Sequence, residues 1–331
     1  MASLNFNDIH TKKKQEKLRE MMLNITSQLV KLENKNPYLD SCPICSSNKI
    51  QFFVNAYQFD ISSCNDCGLL FCNPYPTSEQ IHGYYNSEMK SFENQFFKDS
   101  FEKRIDIFIP RVKLIQKYKS RGKLLDVGSA IGIFIEALHR ANANFNLSCC
   151  DISKEACKEL AERYPNLEVF QNDFLEMKTS AQYDVITLWD TLEHIVDSKN
   201  LLCKTYQLLK NDGIFVFSTP NTDSFEWICA ADKHVQILPP GHVNLMNWKC
   251  IDILLKNNSF RVIEAFTLNA SLDLSYIKKL IKNSEIDPGS IGNFLWEEVF
   301  DPDFEKILEE YLIKKKKAGN IVVIAQKIPN Q

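Results

Sequence analysis

From Lys123 onward, the sequence alternates short apolar runs, typical of buried strands, with amphipathic runs, typical of helices. Such alternation predicts a parallel, doubly wound sheet of the α/β class, covered by helices. Two further strands are predicted at Arg261–Thr267 and Asn320–Ala325, on either side of a helical insertion over about 270–317. The segments of the alternating pattern are Lys123–Val127, Ile133–Arg140, Phe145–Cys150, Lys154–Tyr164, Glu168–Gln171, Asp184–Leu188, Leu201–Leu209 and Ile214–Ser218.

The turn after the first of these strands has the sequence Leu-Leu-Asp-Val-Gly-Ser-Ala-Ile-Gly, from Leu124 to Gly132. A strand that ends near an acid and turns through glycines lets the backbone approach a ligand closely, and the amides of the next helix point at that ligand. The turn therefore predicts a seat for a nucleotide-like cofactor. Glycine-punctuated turns without a ligand also occur in many α/β proteins, so the turn alone leaves that alternative open.

Composition excludes several classes of protein. The chain has 331 residues, of which 44% are hydrophobic and 24% are charged, as in ordinary globular proteins. No apolar run approaches the length of a membrane span. The lysine-rich start, Met1 to Glu20, lacks the apolar centre of a secretory signal, so a cytoplasmic location is expected. The net charge of -3 argues against nucleic acid as a partner.

Four cysteines form two close pairs in the pattern C-x2-C-x18-C-x2-C: Cys42, Cys45, Cys64 and Cys67. Each pair can present two thiolates to one tetrahedral ion, and the spacer can form a hairpin that brings the pairs together. The pattern predicts a Zn²⁺ site in a small zinc-ribbon-like module, with reduced or redox-active cysteines as the alternative. The other cysteines are interpreted as small, mostly buried hydrophobes: Cys72, Cys149, Cys150, Cys157, Cys203, Cys229 and Cys250.

The N-terminal stretch, 11–36, is charged and helical in composition, and Pro37 is expected to end its helix. Its amphipathic face either docks on the same chain or forms a homodimer contact. The apolar residues of the stretch follow the spacing of a short coiled-coil seam: Leu18, Met22, Ile25, Leu29 and Leu32.

The segment 77–120 is predicted to be mainly helical and leads into the glycine turn. Its aromatic residues either cover a ligand or belong to the core. They are Tyr84, Tyr85, Phe92, Phe96, Phe97 and Phe101.

The glycine turn departs from the G-x-G-x-x-G pattern of dinucleotide folds, because its acid stands two residues before the first glycine. Asp126-Val127-Gly128-Ser129-Ala130-Ile131-Gly132 resembles motif I of the class I S-adenosylmethionine-dependent methyltransferases, D-x-G-x-G-x-G, with Ala130 at the central glycine. The resemblance covers about residues 75–265. It implies a seven-stranded, Rossmann-like methyltransferase sheet and S-adenosylmethionine as the cofactor.

The resemblance also implies roles for individual residues. Asp151 follows the second strand and would accept both ribose hydroxyls, whereas Asp173 would bind the adenine amino group and Phe174 the adenine ring. Helix-capping or turn acids would explain any one of these residues but explain the series poorly. The cofactor-binding set implied in this way is Asp126, Gly128, Ser129, Ala130, Gly132, Asp151, Ile152, Asp173, Phe174, Trp189 and Asp190.

A base is needed if the acceptor is a hydroxyl or a carbon acid, and histidine is the side chain that titrates near neutral pH. His194 lies in Thr191–Ile195, which resembles the Glu-His segment after the family's fourth strand, and His242 lies in a loop after the fifth. Both are predicted at the carboxyl edge of the sheet as candidate bases. The alternative for each is a structural histidine that only bonds backbone.

The cysteine module, the segment Pro74-Tyr75-Pro76 and the pair Tyr84-Tyr85 together resemble bacterial methyltransferases that modify nucleotide-linked sugars or surface-polysaccharide units. A small-molecule acceptor of that kind is the expectation. An RNA methyltransferase is the second hypothesis, although the post-strand segment used by adenine-amino methylases is missing. A non-catalytic scaffold built on the zinc module is the third.

These observations predict four regions. They are an N-terminal amphipathic helix over 1–38, a zinc-binding module over 39–76, a helical lead-in over 77–120 and a methyltransferase domain over 121–331 that includes the insertion.

Overall fold

The structure is a computed structural model that describes residues 12–269 and 274–329. Residues 1–11 of the predicted N-terminal region, 270–273 of the predicted insertion, and 330–331 lie outside the described residues. The described residues fall into two compact units. The first comprises 12–77, 220–250, 265–269 and 274–322, and the second comprises 78–219, 251–264 and 323–329.

A seven-stranded sheet is built from β4 to β8, β10 and β11. Its strand order is β10-β11-β8-β7-β4-β5-β6, and four neighbouring pairs, β4 with β5, β4 with β7, β5 with β6 and β7 with β8, are parallel. This sheet confirms the predicted α/β class. The strands are β4 (Arg121–Val127), β5 (Asn144–Asp151), β6 (Glu168–Gln171), β7 (Tyr183–Trp189), β8 (Leu209–Pro220), β10 (Phe260–Leu268) and β11 (Asn320–Lys327).

Apolar residues at the centre of this sheet explain why its strands form. In β4 and β7, Leu124, Leu125, Val185 and Ile186 are fully buried, as expected for parallel strands that are covered on both faces. Helices connect the strands and bury their own apolar faces. They are α5 (Ile133–Arg140), α6 (Lys154–Arg163), α7 (Ser198–Leu208) and α9 (Trp248–Asn257).

The lead-in to the sheet consists of three helices in the second unit, as the sequence predicts: α2 (Ser78–Tyr85), α3 (Glu88–Asp99) and α4 (Phe101–Tyr118). Ser87 caps α3, because its side chain accepts a hydrogen bond from the amide of Lys90 at 3.2 Å. Among the aromatic residues of the lead-in, Tyr84 and Phe96 are buried, which makes them core. Tyr85 instead contacts a candidate catalytic residue, described below.

The first unit contains a separate four-stranded sheet with the order β1-β2-β3-β9. β1 and β2 form the antiparallel hairpin expected between the two cysteine pairs. The fourth strand, β9, comes from a distant part of the sequence. The strands are β1 (Ile50–Ala56), β2 (Phe59–Cys64), β3 (Leu70–Cys72) and β9 (Asn244–Leu245).

Helix α1 (Lys12–Leu29) ends eight residues before Pro37, so the expectation that Pro37 ends the helix is wrong. The side-chain Nδ2 atoms of Asn34 and Asn36 donate to the carbonyl oxygen of Tyr75, both at 3.0 Å, and these bonds hold the chain in a non-helical path. On the predicted seam, Met22 and Leu29 are buried within this single chain. At these two positions the apolar face packs within its own chain, which is the first of the two interpretations.

The other helices of the first unit are α8 (Phe225–Ala230), α10 (Leu274–Lys282), α11 (Gly289–Phe294) and α12 (Pro302–Lys314). The last three occupy the predicted insertion between β10 and β11. Tyr276 and Ile277 of α10 pack with Ala230 of α8 in a buried cluster. Among the described helices, none combines the length and apolarity that crossing a bilayer requires.

Candidate functional site

The carboxyl ends of the central strands meet at one edge of the sheet. In the parallel register, Val127 of β4 lies opposite Cys150 of β5 and Leu188 of β7, while Asp151 lies opposite Gln171 of β6. The residues that follow these strands are therefore neighbours, and most of the predicted cofactor residues are among them. Ligands of open α/β sheets bind at such an edge.

The glycine turn is held against the neighbouring strands by its backbone. The Gly128 amide donates to the Cys150 carbonyl oxygen at 2.8 Å. Gly128 has a φ of +75°, and a Cβ there would lie 2.5 Å from Thr191 Oγ1. Gly132 has a φ of +79°, and a Cβ there would lie 2.3 Å from Leu160 Cδ2. Both glycines are therefore required by the left-handed backbone and by close packing.

Ala130, the departure from the family pattern, has a φ of +44°. It is exposed, so its methyl group does not fill the protein interior. Its amide donates to Asp151 Oδ2 at 2.8 Å, which ties the turn to the end of β5. The left-handed backbone at a residue with a Cβ costs about 1 kcal/mol.

The acids at this edge differ in exposure. Asp126 is buried inside the sheet, where Thr187 Oγ1 donates to its Oδ1 at 2.7 Å, and burial raises the pKa of Asp126 to about 7. Asp151 is half-buried, and burial raises its pKa although the amides of Ser153 and Ala130 donate to it. Asp126 thus organises the interior of the turn, whereas Asp151 is the acid beside the edge.

Asp173 and Phe174 follow β6. Asp173 is exposed, and its Oδ1 accepts a hydrogen bond from the amide of Leu175 at 2.8 Å. Phe174 is buried, with the ammonium group of Lys204 5.6 Å from its ring centroid. Ile152 is 43% exposed directly after Asp151, which leaves an apolar surface at this end of the edge.

Trp189 and Asp190 end β7. The Trp189 ring packs edge-on against Phe134 with 5.3 Å between centroids, and its Nε1 is buried without a hydrogen-bond partner among the described residues. Asp190 has a φ of +49°, and its Oδ1 accepts a hydrogen bond from Ser218 Oγ at 2.8 Å. Strained backbone of this kind is common at functional sites.

A buried arginine, Arg111 of α4, was not expected from the sequence. Its guanidinium lies 4.8 Å from the Trp189 ring and 4.2 Å from the Phe108 ring. Nε and Nη1 are buried without a hydrogen-bond partner among the described residues. Burial lowers the pKa of Arg111, and the charge of Asp190 opposes this shift. The only sequence signal was an arginine in a helix leading into the glycine turn.

His194 ends a 3₁₀ turn, Leu192–His194, directly after this edge. Its Nδ1 is 3.0 Å from the Tyr85 hydroxyl, and the two rings pack edge-on. Burial raises the pKa of Tyr85, which keeps its hydroxyl protonated. The preceding residue, Glu193, is buried and accepts a hydrogen bond from Thr219 Oγ1 at 2.9 Å; burial raises its pKa.

His242 belongs to the first unit and lies between β8 and β9 in the sequence. Its Nδ1 lies 2.7 Å from the Gln236 carbonyl oxygen. Because a carbonyl oxygen only accepts, Nδ1 carries the proton, and in the neutral ring Nε2 is the basic nitrogen. The tautomer is thus the one that a general base needs.

The four paired cysteines form one cluster in the first unit. Cys42 Sγ lies 3.5 Å from Cys67 Sγ, and Cys45 Sγ lies 3.6 Å from Cys64 Sγ. All four sulfur atoms lie within 4.8 Å of one another. A tetrahedral zinc site with bonds of about 2.3 Å has sulfur separations of about 3.8 Å, so this set can hold zinc.

The two cysteine turns have matching backbone bonds. The backbone amide of Ser46 donates to the Cys42 carbonyl oxygen at 2.9 Å, and the backbone amide of Gly68 donates to the Cys64 carbonyl oxygen at 2.8 Å. Ser46 and Gly68 both have positive φ angles, 62° and 81°. Each pair therefore closes in the same tight turn, as two knuckles that share one ion require.

Strand β9 completes the sheet of this cysteine cluster. The Cys72 amide donates to the Val243 carbonyl oxygen at 3.0 Å, and Tyr75 OH donates to Asn244 Oδ1 at 2.6 Å. Cys250 Sγ lies 3.3 Å from the Cys67 carbonyl oxygen. The cluster is thus built from two distant parts of the chain. Of the other cysteines, Cys203 is exposed.

When the seven strands are numbered along the sequence, their order from the β6 edge of the sheet to the β10 edge is third, second, first, fourth, fifth, seventh, sixth. With the glycine turn after the first strand and polar residues at the ends of its neighbours, this fold and edge define the class I methyltransferase architecture.

Comparison with known proteins agrees. A family described as methyltransferase domain matches residues 101–265. A ubiquinone biosynthesis O-methyltransferase of Actinobacillus pleuropneumoniae serotype 5b is 30% identical over 187 residues, covering 48% of this chain and 78% of that protein. A solved S-adenosylmethionine-dependent methyltransferase of Archaeoglobus fulgidus is 18% identical, with a TM-score of 0.46, covering 70% of this chain and 98% of that chain. This chain belongs to the S-adenosylmethionine-dependent methyltransferases, and the prediction of an enzyme is confirmed.

We expect Ala130→Gly to stabilise the protein. Glycine adopts a positive φ without strain, so the free energy of unfolding in urea should rise by about 1 kcal/mol. The same substitution in a helix, Ala156→Gly in α6, should lower it by about 1 kcal/mol or more. Equal losses for the two variants would contradict the strain assigned to Ala130.

We expect the cysteine cluster to bind one zinc ion per chain. Cys45→Ser removes one ligand, so zinc measured by mass spectrometry after reconstitution should fall to near zero. Cys203→Ser, at an exposed cysteine outside the cluster, should retain full zinc. Zinc-free wild-type protein after reconstitution, or full zinc in Cys45→Ser, would exclude the site.

Proposed function

We propose that this enzyme methylates a small molecule, a nucleotide-linked sugar or a surface-polysaccharide unit, with S-adenosylmethionine held along the carboxyl edge of β4, β5, β6 and β7. One observation carries the cofactor placement: the register brings the glycine turn, Asp151 and Asp190 to the same edge. The bound cofactor supplies an activated methyl group on a sulfonium. The protein therefore needs to bind and orient the cofactor and the acceptor, and to exclude water.

The nucleoside part fits the outer end of this edge. The Asp151 carboxylate has acceptor capacity beyond its two backbone amides, which suits the two ribose hydroxyls. Ile152 offers an exposed apolar side chain for an adenine ring. Asp173 is exposed and can accept a hydrogen bond from the adenine amino group, with Phe174 packed beneath the loop.

The amino-acid part fits the inner end. A buried guanidinium with two nitrogens that lack partners is costly unless an anion pairs with it. We assign the carboxylate of the cofactor to Arg111 and its ammonium group to Asp190, whose charge already acts on Arg111. The Trp189 ring, which packs on Phe134, would form the inner wall of this end of the cofactor site.

Proton removal from the acceptor is assigned to His194, which follows the same edge and lies in the same unit. When its Nδ1–H donates to the Tyr85 oxygen, the neutral ring has its lone pair on Nε2, where a base requires it. Tyr85 is then a positioning residue that fixes the ring. His242, with its tautomer set by Gln236, is the alternative base.

Zinc in the cysteine cluster is proposed to be structural. Four thiolates fill a tetrahedral ion and leave no position for a substrate. The zinc would join the two cysteine turns and support β9, which pairs with β3.

The acceptor has a second candidate. The relatives at 28% and 30% identity are named ubiquinone biosynthesis O-methyltransferases, which makes a phenolic hydroxyl the alternative to a sugar. RNA receives less support, because the chain is acidic overall. The homodimer contact and the cytoplasmic location stay predictions.

The acceptor is tested by incubating the purified enzyme with S-adenosylmethionine that carries a tritiated methyl group. Separate reactions contain pools of nucleotide-linked sugars, catechols or RNA. We expect label in a nucleotide-linked sugar. In His194→Gln, kcat should fall by about 100-fold or more, because base catalysis is lost. Tyr85→Phe should lower kcat about tenfold, with little change in the KM for S-adenosylmethionine, because only ring orientation is affected.

His242→Gln is the matched comparison in this assay. Full activity in His194→Gln together with loss in His242→Gln would move the base to His242. Label in the catechol alone would replace the sugar by a phenolic acceptor, and label in RNA alone would overturn the small-molecule assignment.

A further inference from the structure

The helix α4 presents a second arginine on the face that carries Arg111. Arg104 is seven residues earlier, which is nearly two full turns and places both side chains on one side of the helix. Along the helix axis the two positions are about 10.5 Å apart. The charges of Glu93 and Asp190 act on the Arg104 guanidinium, and the charge of Asp190 also acts on the Arg111 guanidinium.

Packing holds the Arg104 guanidinium in place. It lies 4.2 Å from the Phe97 ring and 5.9 Å from the Phe96 ring, and its Nε donates to Ser100 Oγ at 2.8 Å. A guanidinium has five N–H donors in a flat fork, so four remain beyond the bond to Ser100. Burial lowers the pKa of Arg104 to about 10, so the group stays charged at neutral pH.

The other charges of the lead-in do not neutralise this arginine. Lys90 forms an ion pair with Glu93 at 2.6 Å. Within the described part of the chain, no carboxylate forms an ion pair with Arg104 or Arg111. Neither guanidinium therefore has a carboxylate partner within ion-pair distance in the described part of the chain.

S-adenosylmethionine has a single carboxylate, which is assigned above to Arg111. We propose that Arg104 binds an oxyanion of the acceptor, a phosphate or a carboxylate, while Arg111 takes the carboxylate of the cofactor. The proposal rests on the proposed function, because it needs Arg111 to be occupied by the cofactor. It favours anionic acceptors, since a half-buried arginine with unused donors suits bidentate oxyanions. A neutral phenol would leave those donors without an anion.

The test uses full-length protein saturated with S-adenosylhomocysteine, which fills the cofactor site without supplying a methyl group. Inorganic pyrophosphate and, separately, succinate are titrated by calorimetry. We expect saturable binding of at least one probe, and the probe that binds distinguishes phosphate from carboxylate. Arg104→Ala should weaken that binding at least tenfold, and Arg104→Lys should have an intermediate effect because it keeps the charge but not the fork.

Lys103→Ala is the matched control, since it removes the same charge from the exposed neighbouring position of the same helix. It should leave probe binding unchanged. The proposal is overturned if neither probe binds, or if Lys103→Ala and Arg104→Ala weaken binding equally. The affinity for S-adenosylhomocysteine is measured in every variant. If the wild type does not bind it, the proposed function itself fails, whereas normal binding of it without a pyrophosphate or succinate effect removes only the Arg104 assignment.

Discussion

Strand β4 pairs in parallel with β5 on one side and with β7 on the other, and this pairing fixes where the glycine turn leaves the sheet. It aligns Val127, Cys150 and Leu188, so that these three strands end at the same level of the sheet. The glycine turn then contacts both neighbours, through the bond from Gly128 to Cys150 and the close approach to Thr191. A shift of one residue in either pair would separate the groups that we propose bind one ligand.

Several unfavourable features gather at this edge. The buried Asp126, the left-handed backbone at Ala130 and Asp190, and the unpartnered nitrogens of Arg111 each cost free energy in the protein alone. Proteins tolerate such costs where a ligand offsets them. The carboxylate of S-adenosylmethionine would offset the one at Arg111, and an anionic acceptor would do the same at Arg104. Preorganised charges of this kind need no rearrangement when the ligands meet.

The sequence predicts the regular part of this molecule well, because buried parallel strands and amphipathic helices have distinct apolar periods. β6 and α5 match their expected limits, and the strand-edge acids follow directly from the strand ends. The end of α1 was missed because it is decided by bonds from Asn34 and Asn36 to a residue about forty positions away. The addition of β9 to the cysteine sheet was missed for the same reason, since such pairing has no local signal. The roles of Arg104 and Arg111 depend on which face of α4 is buried against Trp189, which a helical pattern alone does not specify.

We infer that S-adenosylmethionine lies along this strand edge with its ribose on Asp151. Calorimetric titration of S-adenosylmethionine into the wild type, Asp151→Asn and Asp252→Asn tests it most directly, because Asp252 is an exposed acid whose partner is Lys256 on its own helix. We expect binding to the wild type, about 100-fold weaker binding to Asp151→Asn from the loss of charge-assisted bonds, and unchanged binding to Asp252→Asn. Equal affinity in all three proteins, or no binding to the wild type, would contradict it.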